Sequence, residues 1–397
     1  MKLTQTTILV GLLGMAWLSG CYLHAETRPT DGDGDTDVDA DSDGDSDGDA
    51  PFVVHEWGVF SGNGVHGVNR NWAGMEADKP VLYFYPDEGA ESLTVDVTVD
   101  FPDGHARETW PELTLGETIA WNDVVIDGEP CNDDYTPFPR LGEGQCENPD
   151  TWYCEATELG SYIAPAASCL TVDGEASPLL FYAGTLNSVP PAITGTYCGG
   201  SASYDPAPER PEPPEDPPEN AVMLSLSNPL DEAVGPVFLI YRDIQGDCMP
   251  WGGCDISYAA VGTAWIEEVP AESEITVQLG YTVLATAADE PLPYIEPPEW
   301  LMAEEESMTT VLTDAGLTGD EAEALLNGWR HTFFDLMPDD NFITVRMGES
   351  IAAAYLVPRN YFDEALPIEI EPAPRELVRV GLGFSYLENT CGMDSAS

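Results

Sequence analysis

From Ser92 to Gly104 the chain reads SLTVDVTVDFPDG, with Leu93, Val95, Val97, Val99 and Phe101 alternating strictly with Thr and Asp. Successive side chains of a strand point to opposite faces, so this period of two specifies a half-buried strand closed by a turn. The theme recurs. KPVLYFYP (79–86), PLLFYAGTL (178–186), AVMLSLSN (221–228), PVFLIYRD (236–243) and SEITVQLGYTVLA (273–285) are rich in β-branched and aromatic residues and bounded by Gly, Pro, Asn or Asp. ITVRMG, AAAYLVP and ELVRVGLGFSYLE repeat it near the end of the chain. The fold class predicted is mainly β, with a sandwich-like architecture.

One region breaks the pattern. LTGDEAEALLNGWRHTFFD opens with Thr318 and Glu321 at capping-box spacing, and Ala322, Leu325, Leu326, Trp329 and Phe333 follow at intervals of three and four. That predicts a helix with one apolar face. The preceding stretch, 301–313, is a second helical candidate, so the helical segment lies near residues 301–335.

The first fifty residues cannot join the core. Lys2 precedes an apolar run, Ile8 to Leu18, too short to span a bilayer, which ends in Leu18-Ser19-Gly20-Cys21. This resembles the bacterial lipobox. The resemblance implies a signal peptide over residues 1–20, cleavage before Cys21 and a diacylglycerol on its sulfur. Tyr22 follows, not the Asp that marks inner-membrane retention, so the outer membrane or cell surface is expected. Next, Asp occupies every odd position from Asp31 to Asp49. An EF-hand loop starting at Asp39 would need Glu at position 12 and finds Ala50; one starting at Asp43 finds Val54. Ten closely spaced carboxylates with Val38 as their single apolar companion repel one another and bury nothing. Residues 21–50 read as a flexible acidic tether, reaching roughly 30 Å as a coil and further when charge extends it. Asp39, Asp41, Asp43, Asp45 and Asp47 are weak calcium candidates, and no other cofactor is expected.

Residues 51–397 form the β-rich globular region, with a Pro-rich acidic segment at 205–219 that either divides it or decorates it. The whole chain carries 72 Asp and Glu against 13 Lys and Arg, a formal net charge of −59. After Pro51, 61 acids face 11 bases. A nucleic-acid partner needs a basic face, so that class is excluded, and divalent cations or a saline medium suit such a surface better. Eight cysteines remain besides Cys21, an even number that reads as a disulfide set in an exported chain. Eight cysteines allow 105 pairings. The favoured single pair is Cys248–Cys254, across CMPWGGC. No paired C-x-x-C spacing supports a zinc cluster.

Three stretches carry a wider resemblance: FVVHEWGVFSG (52–62); KPVLYFYP with VDFPDGHARETWPE (99–112); and GLTGDEAEALLNGWRHTFFD running through YLVPRNYFDEALPIEIEPAPRELVRVGLG, within 316–383. They resemble a group of uncharacterised bacterial secreted proteins with an N-terminal His-Glu-Trp-Gly-Thr-Phe-Thr motif. This chain departs at Val59 and Ser61, where Thr is usual, and inserts cysteines and the Pro-rich segment. The resemblance implies a shared fold and supplies no catalytic residues.

The candidate site residues are His55, Glu56, His66, Arg330 and His331. A His beside a Glu can supply a general base or a metal ligand. Yet HEWGVFSGNGVH lacks the i, i+4 spacing of a zinc-peptidase helix. Alternation along FVVHEWGVF sets Phe52, Val54 and Glu56 on one face and Val53, His55 and Trp57 on the other, so His55 is expected as a part-buried, hydrogen-bonded residue. Arg330 and His331 close the predicted helix, where positive charge complements its dipole. Arg346, Arg359, Arg375 and Arg379 are expected to pair with acids. Phosphate-loop, nucleotide and nucleophile-elbow motifs do not occur. The reading that results is a lipid-anchored cell-envelope protein with a binding or structural role toward an envelope or extracellular ligand. The alternative is an envelope hydrolase with its site near His55 and Glu56.

Overall fold

The computed structural model describes residues 50–62, 75–131, 135–138, 155–187, 189–198, 220–248, 254–286, 297–334 and 348–390. Cys21, the acidic run, His66, Arg346 and the Pro-rich segment lie outside the described residues. In chain order the first strands are β1 (Phe52–Gly62), β2 (Met75–Pro86), β3 (Leu93–Asp100), β4 (Gly104–Trp110) and β5 (Thr118–Ile126). A 3-10 helix (Glu155–Tyr162) precedes β6 (Leu170–Val172), β7 (Glu175–Ser177), β8 (Leu180–Leu186), β9 (Thr194–Cys198) and β10 (Ala221–Asn228). Then come β11 (Val237–Cys248), β12 (Cys254–Ile266), β13 (Ser273–Gly280), β14 (Thr282–Thr286), α1 (Glu299–Asp314) and α2 (Gly319–Phe333). The chain closes with β15 (Gly348–Val357), α3 (Arg359–Ala365), β16 (Ile368–Glu371), β17 (Glu376–Tyr386) and β18 (Glu388–Asn389).

The protein is mainly β, as its alternation requires. A nine-stranded sheet runs β14-β12-β11-β15-β17-β1-β2-β8-β4. Two smaller sheets, β13-β10-β9-β18 and β16-β3-β5-β6-β7, complete the fold. Strands from both sides of the Pro-rich segment share sheets: β9 pairs with β10, and β1 with β17. That segment therefore does not separate two cores.

The large sheet is buried on both faces. Phe52, Val54, Phe84, Leu239 and Ile351 pack against Val95, Val97 and Trp121 of one small sheet and Leu224 and Leu226 of the other. This is the sheet-on-sheet layer. The opposite face carries Trp57, Tyr83, Phe181, Phe238, Val380 and Phe384, covered by α1, α2 and the 3-10 helix. All five apolar residues read from the α2 periodicity, Ala322, Leu325, Leu326, Trp329 and Phe333, are buried there. Thr318 caps the helix in a complete capping box with Glu321.

The central strand β17 shows why its sequence reads VGLG. Val380, Leu382 and Phe384 face the helices, and Gly381 and Gly383 face the other layer. A Cβ on Gly383 would lie 2.2 Å from the Tyr355 ring, so only glycine fits.

Two expectations need correction or extension. SEITVQLGYTVLA is not one strand: it breaks at Tyr281, with β13 in a small sheet and β14 at the edge of the large one. The expected Cys248–Cys254 pair occupies one register position of the β11–β12 ladder, and the turn between them lies outside the described residues. A disulfide absent from the sequence reading links Cys131 and Cys169, with Cα atoms 4.5 Å apart. No helix among the described residues is long and apolar enough to cross a membrane.

Candidate functional site

His55 and Glu56 sit near the centre of the large sheet, on β1 between β2 and β17. The strand holds its alternation past Gly58, because the extra residue of the irregularity falls in β2, between Val81 and Asp78. The two side chains therefore leave the sheet on opposite faces, and each enters a separate network.

Glu56 is fully buried and stands opposite Arg379 in the parallel β1–β17 register. Arg379 Nε donates to one carboxylate oxygen, and the Tyr182 hydroxyl donates to the other. The guanidinium also donates to Asp363 Oδ1 at 2.8 Å and to the Leu366 carbonyl at 2.8 Å, and it lies 4.0 Å over the Phe362 ring. Burial disfavours the Arg379 charge, but the Glu56 carboxylate outweighs it and raises the guanidinium pKa. Burial, then the Glu56 charge, pushes the Tyr182 phenol well up, so it stays a neutral donor. Each Glu56 oxygen is thus held from within the fold. On the outer side, Asp363 lines an open groove of about 550 Å³ with Leu230, Asp231, Glu232, Asn360, Tyr361 and Glu364.

His55 meets a different glutamate. Its Nδ1 lies 2.9 and 3.1 Å from the two carboxylate oxygens of Glu321, the N3 residue of α2. The Tyr85 hydroxyl donates to Glu321 at 2.7 Å and the Thr318 backbone N–H at 2.7 Å. The Tyr85 ring lies 5.0 Å from the imidazole. Burial alone would raise the Glu321 carboxyl, but hydrogen bonds and charge from His55, with those from Tyr85 and Thr318, outweigh it and lower the pKa. Only 13% of the His55 side chain is exposed. A carboxylate that fixes one imidazole nitrogen is the orienting half of an acid–base pair. Among the described residues, no hydroxyl or thiol nucleophile bonds to the imidazole.

The other candidates do not join them. Arg330 lies nine residues along α2 from Glu321, about 13 Å of helix. It pairs with Glu305 of α1 at 3.1 Å and reaches the Met302 sulfur at 3.4 Å, which ties the two helices together. His331 is in the last turn of α2, but its side chain is outside the described residues, as is all of His66. The C-terminal arginines behave as expected where described: Arg359 pairs with Asp363 at 2.8 Å and Arg375 with Asp87 at 2.6 Å. Among the described residues no group of three or more His, Cys, Asp or Glu is arranged to hold a metal.

The sequence reading missed Glu321 as the partner of His55, although the capping box had marked it. It also missed Tyr85, Tyr182 and the Glu56–Arg379 pairing. The signal for that last pair was the lone Arg within the apolar strand LVRVGLG.

The sequence matches no protein-family model and no curated protein. Among solved structures, the yeast delta-COP-I mu-homology domain aligns over 86% of this chain and 97% of its own, at 9% identity and a TM-score of 0.25. The same domain complexed with a Dsl1 WxWxV peptide aligns equally. A superposition that loose leaves this fold to be argued on its own geometry.

Proposed function

We propose that the chain is a lipoprotein of the cell envelope, anchored through lipid on Cys21 at the outer membrane or cell surface, whose β-rich body has a binding or structural role. The Leu-Ser-Gly-Cys21 sequence ahead of a long acidic spacer is the observation that carries this reading. The Cys131–Cys169 disulfide supports it, because disulfides persist in oxidising compartments. The divergence of His55 and Glu56 supports a role other than hydrolysis at that pair, since a shared site needs both groups on one face. Residues that fill a core and dock a helix do what a scaffold for surface display requires. Calcium, if the tether takes it, is held weakly by Asp39 to Asp47.

The test is Cys21→Ser in a bacterial host fed a fatty-acid label. The parent should carry label and stay with membranes through a carbonate wash; the variant should lose the label and appear in the soluble fraction. A variant that remains membrane-bound after the wash overturns the anchor.

A further inference from the structure

The first turn of α1 holds the most exposed methionine among the described residues. Met302 is 38% exposed, while Met75 and Met308 are buried at 0% and 1% and Met223 is half-buried. The Met302 sulfur faces a cation. Arg330 of α2 donates from Nη2 to Met302 Sδ at 3.4 Å, and the same nitrogen lies 3.1 Å from Glu305 Oε2. Glu305 is three residues along α1 from Met302, so the two share a helix face. The guanidinium thus bridges two side chains of α1 from α2, in a clasp at the surface of the helix pair.

A thioether is a weak acceptor, whereas a guanidinium carries five N–H donors. The sulfur therefore offers less than the arginine can use, and one oxygen atom on the sulfur removes the mismatch. The S–O bond of a sulfoxide is strongly polar, and its oxygen can accept a charge-assisted hydrogen bond. In the reaction with hydrogen peroxide, a sulfur lone pair attacks one peroxide oxygen and the O–O bond breaks. The departing hydroxide takes the proton from the transferred oxygen and leaves as water. Sulfur is oxidised, peroxide is reduced, and no further reactant is needed. Oxidation of a core methionine puts a polar oxygen where nothing pairs with it and disrupts packing. At Met302 the new oxygen meets water on one side and a guanidinium on the other.

We infer that Met302 is a site of reversible sulfoxidation by peroxides and that Arg330 receives the sulfoxide oxygen, so that oxidation tightens the contact between α1 and α2. Methionine sulfoxide reductases return sulfoxides to thioethers, which makes such a site a switch and not a permanent lesion. The inference uses neither Cys21 nor His55, so it fails separately from the anchor proposed above.

The experiment treats the folded full-length protein with limiting hydrogen peroxide at neutral pH and locates the added oxygen by peptide mapping with mass spectrometry. The peptide carrying Met302 should gain one oxygen about tenfold faster than those carrying Met75 and Met308, whose sulfurs wait for local opening. In denaturing urea the three should react alike. The oxidised protein should melt about 1–2 °C above the untreated one, the scale of one exposed charged contact, and a methionine sulfoxide reductase should reverse the rise. Met302→Leu, treated identically, should show no rise, which separates Met302 from methionines outside the described residues. Arg330→Gln should still be oxidised at Met302 and should gain no stability. If Arg330→Gln does not fold, the Met302→Leu comparison and the reductase reversal decide the matter. Oxidation of Met75 or Met308 in the folded protein as fast as Met302 overturns the inference. So does an oxidised protein that melts at or below the untreated temperature, or an equal rise in either folded variant.

Discussion

At the scale of single residues, Glu321 carries more than its place in the sequence suggests. One carboxylate closes the α2 capping box, accepts from His55 and Tyr85, and so fastens the helix to β1 and β2. Its folded pKa lies below its ordinary value, so the carboxylate is stabilised in the native state. That stabilisation is complete above the unfolded glutamate pKa, about 4.3, and drains away as pH falls through the lower folded value. Glu321→Gln should therefore destabilise the protein at neutral pH and should narrow its gap to the parent as pH drops through the acid range. Melting temperatures of both proteins between pH 7 and pH 3 test this; parallel curves would remove Glu321 from the acid response. His55→Ala leaves one acceptor of the same carboxylate without its donor and should cost about 1–3 kcal/mol in chemical denaturation.

At the scale of elements, the Glu56–Arg379 pair is a junction. It links β1 to β17, reaches β8 through Tyr182, and binds α3 and the turn after it through Asp363 and the Leu366 carbonyl. Removing one partner strands a buried charge. Arg379→Ala should cost about 3–5 kcal/mol, while the double replacement Glu56→Leu with Arg379→Met should cost clearly less, since it removes both charges at similar volume. Urea denaturation of the two variants decides between a needed ion pair and a replaceable one. The same junction marks where the sequence was legible. Period-two alternation located β3, β-rich composition between turn residues located β8, β10 and β11, and three-four spacing with a capping box located α2 and its buried face, because each signal is local. Alternation also separated His55 from Glu56 correctly, since it acts within one strand. The partners were invisible because they lie far off in the chain: 266 residues separate His55 from Glu321 and 323 separate Glu56 from Arg379. Strand pairing brings Arg379 to Glu56, and the packing of α2 on the sheet brings Glu321 to His55. β12 was missed for a different reason: SYAAVGTAW is small and Gly-containing, since Gly262 must lie close against Tyr281, where a Cβ would come within 2.1 Å of the Gly280 carbonyl.

At the scale of the whole molecule, the fold must hold against its own charge. After Pro51, 61 acidic residues face 11 basic ones, and four of the described arginines, Arg330, Arg359, Arg375 and Arg379, are each engaged with a carboxylate. The basic side chains are too few to neutralise the remaining acids, which repel across the surface. Repulsion of this kind is long-range at low ionic strength, where the screening length is about 30 Å at 0.01 M, and short-range at high, about 3 Å at 1 M. The native state concentrates these charges and the unfolded chain spreads them, so screening favours folding. The melting temperature should rise steadily with NaCl from the low millimolar range to about 1 M. The buried Glu56–Arg379 and His55–Glu321 contacts lie where salt screens least, so they should not offset the gain. A chain lacking residues 31–49 should show almost the same salt dependence, because it loses only ten of the acidic residues and keeps the 61 that follow Pro51. If the salt response disappears with that deletion, the repulsion resides in residues 31–49 and the rest of the chain is balanced by itself. If the response persists, the acidic residues after Pro51 are its source, and a saline or cation-rich medium is the setting in which this protein is most stable.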